Sequence, residues 1–171
     1  MAAVKDNRIM LTGFMGSGKT SVATALAREL NYPFLDTDKY IEEREGMSVA
    51  DIFAKRGEAY FRTLEHQITF DLMKNFSAVI SSGGGFILTD AVYQLAASKF
   101  NLVFLDTPFE VCLSRIKNDK SRPLAATRTD EELLKLYNYR RGIYRARSDF
   151  SVDGSKKLLS DVVDEIIHKL K

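Results

Sequence analysis

Cysteine is nearly absent from this chain: Cys112 is the only one among 171 residues. A single thiol excludes an intrachain disulfide and any cysteine metal cluster. Val111 and Leu113 flank it in a helical pattern, which predicts a packed, buried side chain. Histidine is almost as scarce. His66 and His168 lack metal-ligand spacing with each other, and both are expected on helix surfaces. No apolar stretch approaches the roughly 20 residues of a membrane span. The opening Met1-Ala2-Ala3-Val4-Lys5-Asp6 has no signal-peptide core. The expectation is a soluble, cytoplasmic protein with no membrane partner. Excess charge is missing too: the formal net charge is +2, which does not imply a broad nucleic-acid-binding face, although local clusters could hold anions. Internal repeats and low-complexity linkers are absent. The 45% hydrophobic content suits one globular domain over residues 1–171.

What is present alternates between short apolar runs and helical patterns. Strands are predicted at Ile9–Leu11, Pro33–Leu35, Ala78–Ser81, Leu102–Leu105 and Phe150–Val152. Helices are predicted over Lys19–Leu30, Lys39–Arg44, Val49–Arg56, Gly57–Asn75, Asp90–Ser98, Phe109–Asn118, Asp130–Arg147 and Lys156–Lys169. Thr129 and Glu132 have capping-box spacing, and Pro108 suits a first helical turn. Leu159, Val162, Val163, Ile166, Ile167 and Leu170 form one stripe, expected against the core. This alternation predicts an α/β fold: a three-layer αβα arrangement with a central five-stranded parallel sheet. Ligands in such sheets gather at the carboxyl ends of the strands, so the residues following each strand carry the functional argument.

After the first strand comes Gly13-Phe14-Met15-Gly16-Ser17-Gly18-Lys19-Thr20. It fits the phosphate-loop pattern, Gly, four residues, then Gly-Lys-Thr, in the required place between a strand and a helix. Glycines let successive backbone N–H groups point into one concavity, and the helix N-terminus adds partial positive charge. Lys19 can bridge the outer phosphates of a nucleoside triphosphate, and the Thr20 hydroxyl can ligate Mg²⁺.

After the second strand, Asp36 and Asp38 are two residues apart, which in an extended backbone directs both carboxylates one way. One could hold Mg²⁺ and the other accept a proton from a substrate hydroxyl; alternatively Asp38 caps a helix beginning near Lys39. The third strand ends without the acidic residue common beside a phosphate loop, and Asp36 is the natural substitute. Gly83-Gly84-Gly85 follow it, suiting either a close approach of backbone to ligand or a flexible connection. Arg62 and Glu65 have helical i,i+3 spacing. From spacing alone a surface pair is the commoner outcome, but in a cleft Glu65 would orient Arg62 towards a carboxylate. The polar stretch 117–128 is long for a connector and reads as an irregular lid carrying Arg122, able to close on a transferring phosphate. Arg140, Arg141, Arg145 and Arg147 follow on the next helix, most of them expected in solvent and one facing the cleft.

Taken together, the phosphate loop, Phe34-Leu35-Asp36-Thr37-Asp38, Gly57-Glu58-Ala59-Tyr60-Phe61-Arg62-Thr63-Leu64-Glu65, the triple glycine and Ser121-Arg122-Pro123-Leu124 resemble the shikimate kinase family over nearly the whole length. That family is built like the nucleoside monophosphate kinases, with a phosphate-loop NTPase fold and a mobile lid. The resemblance implies transfer of a phosphoryl group from ATP to the 3-hydroxyl of shikimate, a step towards the aromatic amino acids, by a monomer. It implies a lid at about 117–128 and substrate-binding helices at about 38–65. Gly16, Ser17, Gly18, Lys19, Thr20 and Ser21 would cradle ATP. Thr20 would ligate Mg²⁺, with Asp36 reaching it through water. Asp38 would hydrogen-bond the substrate hydroxyls and act as base. Arg62, held by Glu65, would grip the carboxylate, Gly84 and Gly85 would contact the ring hydroxyls, and Arg122 would touch the phosphates. The family's Arg-x-Pro-Leu-Tyr is here Arg140-Arg141-Gly142-Ile143-Tyr144. Tyr144 sets the register and points to Arg140 as the second carboxylate ligand, while the missing proline and doubled arginine keep Arg141 open.

Two other readings share parts of this pattern. A kinase for another polyol or acid such as gluconate, or for a nucleoside monophosphate, would keep the loop and lid. A non-catalytic kinase relic that senses nucleotide or partners another protein is the second rival, and Lys19, Thr20, Asp36, Asp38 and Arg122 together speak against it.

Overall fold

The protein is described by a computed structural model covering residues 5, 7–74, 77–119, 123–155 and 158–171. Five strands form one sheet: β1 (Asn7–Thr12), β2 (Phe34–Asp36), β3 (Ser77–Ser81), β4 (Asn101–Leu105) and β5 (Phe150–Val152), in the order β2-β3-β1-β4-β5. Every pairing is parallel. The α/β layering and the five-stranded parallel sheet are therefore as expected.

The pleat explains the layers. On β1, Ile9 and Leu11 face one side of the sheet and Met10 the other, and all three are buried. The Ile9/Leu11 face packs on Val22, Ala23 and Leu26 of α1 (Lys19–Leu30) and on Val162, Val163 and Ile166 of α9 (Leu159–Leu170). The Met10 face packs on Leu64 and Ile68 of α4 (Glu58–Leu72), Val92 and Ala96 of α5 (Asp90–Lys99), and Tyr144 of α8 (Asp130–Arg147). Each buried Val, Leu, Ile or Met side chain contributes about 1.5–3 kcal/mol by leaving water. Leu159, placed on the α9 stripe by its spacing, is instead 46% exposed, as the first residue of that helix.

Several boundaries shift for local reasons. β2 runs one residue later than expected and ends on Asp36, and α2 (Thr37–Glu45) starts directly after it. The carboxylate capping α2 is that of Asp36, which accepts from the Lys39 amide at 3.1 Å; Asp38 lies inside the first turn. The extended-strand argument for a shared direction of the two acids thus fails, although both still reach one cavity. α3 (Val49–Arg56) is capped by Ser48. Pro108 precedes α6 (Phe109–Ile116) as its cap residue, not as its first helical residue. The Thr129/Glu132 capping box is formed, with bonds of 3.2 and 2.8 Å. Within the expected lid, 123–126 form a helical turn, α7 (Pro123–Ala126), so the segment is not irregular throughout. Ser121 and Arg122 lie outside the described residues, as do Asn75 and Lys156 at the ends of two expected helices.

Cys112 is fully buried on α6, and its thiol donates to the Thr107 carbonyl at 3.6 Å. His168 is exposed and His66 half-buried. Among the described residues no helix is long and apolar enough to cross a membrane.

Candidate active site

The strand order places the site. β1 leads through α1 to β2 on one side, whereas β4 lies on the other side of β1, so the connections diverge where β1 and β3 end. Leu11 and Ser81 are register partners, as are Asp36 and Ser81. The loops following β1, β2 and β3 therefore leave the sheet side by side. They are tied together at their roots: Ser82 donates through its amide (3.1 Å) and hydroxyl (2.9 Å) to Leu11 O, and the Gly83 amide donates to the Thr37 hydroxyl at 2.8 Å. Between them opens a cavity of about 750 Å³.

One wall is the phosphate loop. Gly16 (φ 75°) and Gly18 (φ 95°) occupy the left-handed region that side chains disfavour. A Cβ on Gly16 would also sit 2.7 Å from Cys112 O. The Lys19 ammonium lies across the loop, donating to Gly13 O (2.9 Å) and Phe14 O (3.0 Å). Gly16, Gly18, Lys19, Thr20 and Ser21 line the cavity; Ser17 is buried behind them, its carbonyl accepting from the Thr107 hydroxyl at 2.8 Å. The Thr20 hydroxyl lies 3.5 Å from both Asp36 Oδ2 and Ser81 Oγ. Two hydroxyls and one carboxylate at this spot form a hard-oxygen donor set, which fits a small divalent cation that draws its other ligands from phosphate and water. Among the described residues no cluster of three His, Cys, Asp or Glu offers an alternative metal centre.

A second wall is built around the triple glycine. None of the three has a left-handed φ. Gly83 and Gly85 instead face functional side chains at distances that leave no room for a methyl, whereas Gly84 would admit one in ordinary contact. A Cβ on Gly83 would lie 2.6 Å from Asp38 Oδ1. One on Gly84 would touch Arg140 Nη1 (3.4 Å) and the Tyr144 hydroxyl (3.5 Å). One on Gly85 would overlap the Arg62 guanidinium, with its Cζ at 2.6 Å. Asp38, Arg140 and Arg62 thus converge on one strip of bare backbone from α2, α8 and α4. The flexible-connection reading of these glycines is not what the fold uses.

Arg62 and Glu65 point into the cavity, not to the surface. Arg62 Nη1 donates to Glu65 Oε1 at 2.5 Å and its Nη2 to Glu58 at 3.0 Å. Glu65 is wholly buried, and its Oε2 has no hydrogen-bond partner. Burial pushes its carboxyl up to about 7, with the nearby Asp38 charge adding to the rise and Arg62 opposing it. For Arg62, burial works against the charge, but the Glu65 and Glu58 carboxylates together outweigh it and hold the guanidinium above its usual range.

Arg140 is 7% exposed, lines the cavity and has a buried Nε with no hydrogen-bond partner. Arg141 points elsewhere, forking onto Asp106 with bonds of 2.8 and 2.9 Å. Arg145 donates to the same carboxylate at 2.8 Å, and Arg147 to Ile87 O and Leu88 O (2.7 and 3.1 Å). Arg141 and Arg145 keep much of their side chains in solvent, as expected (42% and 58% exposed), yet both, like Arg147, are also tied to the scaffold. Tyr144, buried, donates to Gly84 O at 2.5 Å, and burial pushes its hydroxyl up to about 12.

Several lining residues escaped the sequence argument. Arg115 on α6 donates to Gly16 O at 3.0 Å and borders the phosphate loop. It lies three residues beyond Cys112, on the helix face already expected to be inward, and that phase was the available signal. Phe53 and Phe61, with ring centroids 4.9 Å apart, supply an apolar wall that spacing alone cannot tell from ordinary core.

The family model described as shikimate kinase matches residues 15–171. The shikimate kinase of Aquifex aeolicus (strain VF5) is 44% identical over 164 residues, covering 96% of each chain. The structure of a shikimate kinase from Acinetobacter baumannii in complex with shikimate superposes with a TM-score of 0.90 at 33% identity, covering 96% of this chain and 92% of that one. A gluconokinase from Sinorhizobium meliloti 1021 shares the fold at 22% identity, with a TM-score of 0.58.

Proposed function

Because the chain belongs to the shikimate kinase family, we propose that its cavity binds ATP and shikimate together and that Asp38, Arg62 and Arg140 hold the acceptor. The reaction is ATP-dependent phosphorylation of shikimate. The observation that carries the residue assignment is the convergence of those three side chains on Gly83, Gly84 and Gly85, in the cavity that the phosphate loop also lines. A hydroxylated ring with one carboxylate matches a wall with two guanidinium groups, one carboxylate and exposed backbone.

In this reading Arg62 and Arg140 bind the carboxylate, and the Gly84 and Gly85 backbone meets the ring hydroxyls. Asp38 accepts the proton from the 3-hydroxyl as its oxygen bonds to the terminal phosphorus of ATP. The bond from that phosphorus to the bridging oxygen breaks, and ADP leaves. Gly16 to Ser21 cradle the phosphates, while Lys19 and Arg122 offset charge on the moving group. Thr20, with Asp36 beside it, would hold Mg²⁺, which when bound neutralises phosphate charge. Most of the rate comes from positioning and charge stabilisation, since phosphoryl transfer asks for little covalent work. The working unit in this reading is a cytoplasmic monomer.

A coupled ADP-release assay with shikimate, gluconate and nucleoside monophosphates tests the reading. Turnover with shikimate alone is expected. Turnover with gluconate or a nucleotide and none with shikimate would overturn it, and nucleotide binding without transfer to any acceptor would favour a sensor.

A further inference from the structure

Arg140 can reach a carboxylate in the cavity only if α8 is held at one rotation about its axis. The helix is long, 18 residues, and is interrupted chemically by Gly142, which weakens a helix interior by roughly 1 kcal/mol relative to alanine. Nothing lies within 4 Å of a Cβ built on Gly142, so crowding does not explain that glycine. The bracing comes from the residues on either side. Arg141 and Arg145, one turn apart and flanking Gly142, both end on the carboxylate of Asp106. Arg141 supplies a two-point fork, which fixes direction as well as distance. Asp106 is itself fixed: it follows the last residue of β4, its amide donates to Val152 O at 2.9 Å, and its side chain is only 15% exposed. On the other side of α8, Tyr144 and Arg147 reach Gly84 O and Ile87 O.

We propose that Asp106 is a positioning residue for the substrate carboxylate: it clamps α8 across Gly142 and so sets the direction of Arg140. Asp106 does not touch the cavity and is not among its lining residues. It acts through Arg141, the immediate neighbour of Arg140. The proposal rests on the reading that Arg140 binds shikimate.

Shikimate and ADP titrations by calorimetry on Asp106→Asn, Arg140→Lys and the double variant test it. Asp106→Asn is expected to raise the shikimate Kd about tenfold, within the range of coupling energies between contacting groups, and to leave the ADP Kd within about twofold. In the Arg140→Lys background the same change is expected to add less than about twofold, because the group being positioned is already gone. Arg141→Lys keeps the charge and removes the fork, so it is expected to shift shikimate affinity in the same direction even if Asp106→Asn folds poorly. Equal fold losses in both backgrounds would make Asp106 a general scaffold group and overturn the proposal. So would wild-type shikimate affinity in both Asp106→Asn and Arg141→Lys. If the wild-type protein fails to bind shikimate at all, the functional reading falls and takes this proposal with it.

Discussion

Arg62 and Glu65 meet at 2.5 Å at the base of the cavity, with the carboxylate wholly buried and one of its oxygens left without a hydrogen-bond partner. A pair of this kind is held by geometry yet stays close to a protonation change. Its carboxyl sits at about 7, raised by burial first and by Asp38 second. The groups facing it are Arg62, Asp38 and Arg140.

Binding a carboxylate beside this pair brings a further negative charge, which raises the Glu65 carboxyl again. A group whose affinity for protons rises on binding takes up a proton, so the protonated form binds more tightly. Shikimate affinity is therefore expected to be highest below pH 7 and to fall as the pH rises through 7 towards the higher value of the complex. Titrations in two buffers of different ionisation enthalpy should show net proton uptake near pH 7. Glu65→Gln should remove both the uptake and the slope. A flat profile for the wild-type protein would mean that Glu65 keeps one protonation state throughout.

Gly85→Ala places a methyl in the space of the Arg62 guanidinium. The arginine must move, and displacement by about 1 Å can cost on the order of 100-fold in rate. kcat/KM for shikimate is expected to fall by roughly that factor while ATP binding is kept. Steady-state kinetics with each substrate varied in turn would check this.

Asp38→Asn keeps the size of the side chain and removes its basicity. Turnover is expected to drop by about 100- to 10,000-fold, the usual contribution of a positioned base. ATP and shikimate should still bind, as equilibrium titration would show. A variant with normal turnover would exclude Asp38 as the proton acceptor.

Gly142→Ala is expected to stabilise the protein, by roughly 0.5–1 kcal/mol. The position is helical and open around its Cβ, so the methyl meets nothing. A rise in Tm of about 1–4 °C, read by circular dichroism, is the expected size for a chain of this length.

Much of this site was legible in the sequence because it depends on local backbone chemistry. The phosphate loop declares itself by glycine spacing between an apolar run and a helix. Arg140 was reachable through the register set by Tyr144, and it is Arg140 that faces the cavity. The acids after β2 were identified for a partly mistaken reason: Asp36 ends the strand and caps α2, so the two carboxylates reach the cavity from different elements. The pairing of Arg62 with Glu65 was visible as spacing, but its burial was not, since burial depends on α4 packing against the Met10 face of the sheet. Asp106 sits right after a strand, yet nothing in the adjacent sequence marks its role. Its partners lie 35 and 39 residues further on, and no local pattern connects them.

The lone thiol offers a practical handle. Cys112 is sealed under the phosphate loop, bonded to the Thr107 carbonyl, and burial pushes it up to about 11. In the native arrangement such a sulfur is a poor nucleophile and out of reach of alkylating reagents. Labelling must wait until α6 separates from Gly16, so the rate of modification becomes a clock for that opening. A nucleotide that tightens the loop should slow the clock, giving a readout of occupancy that requires no turnover.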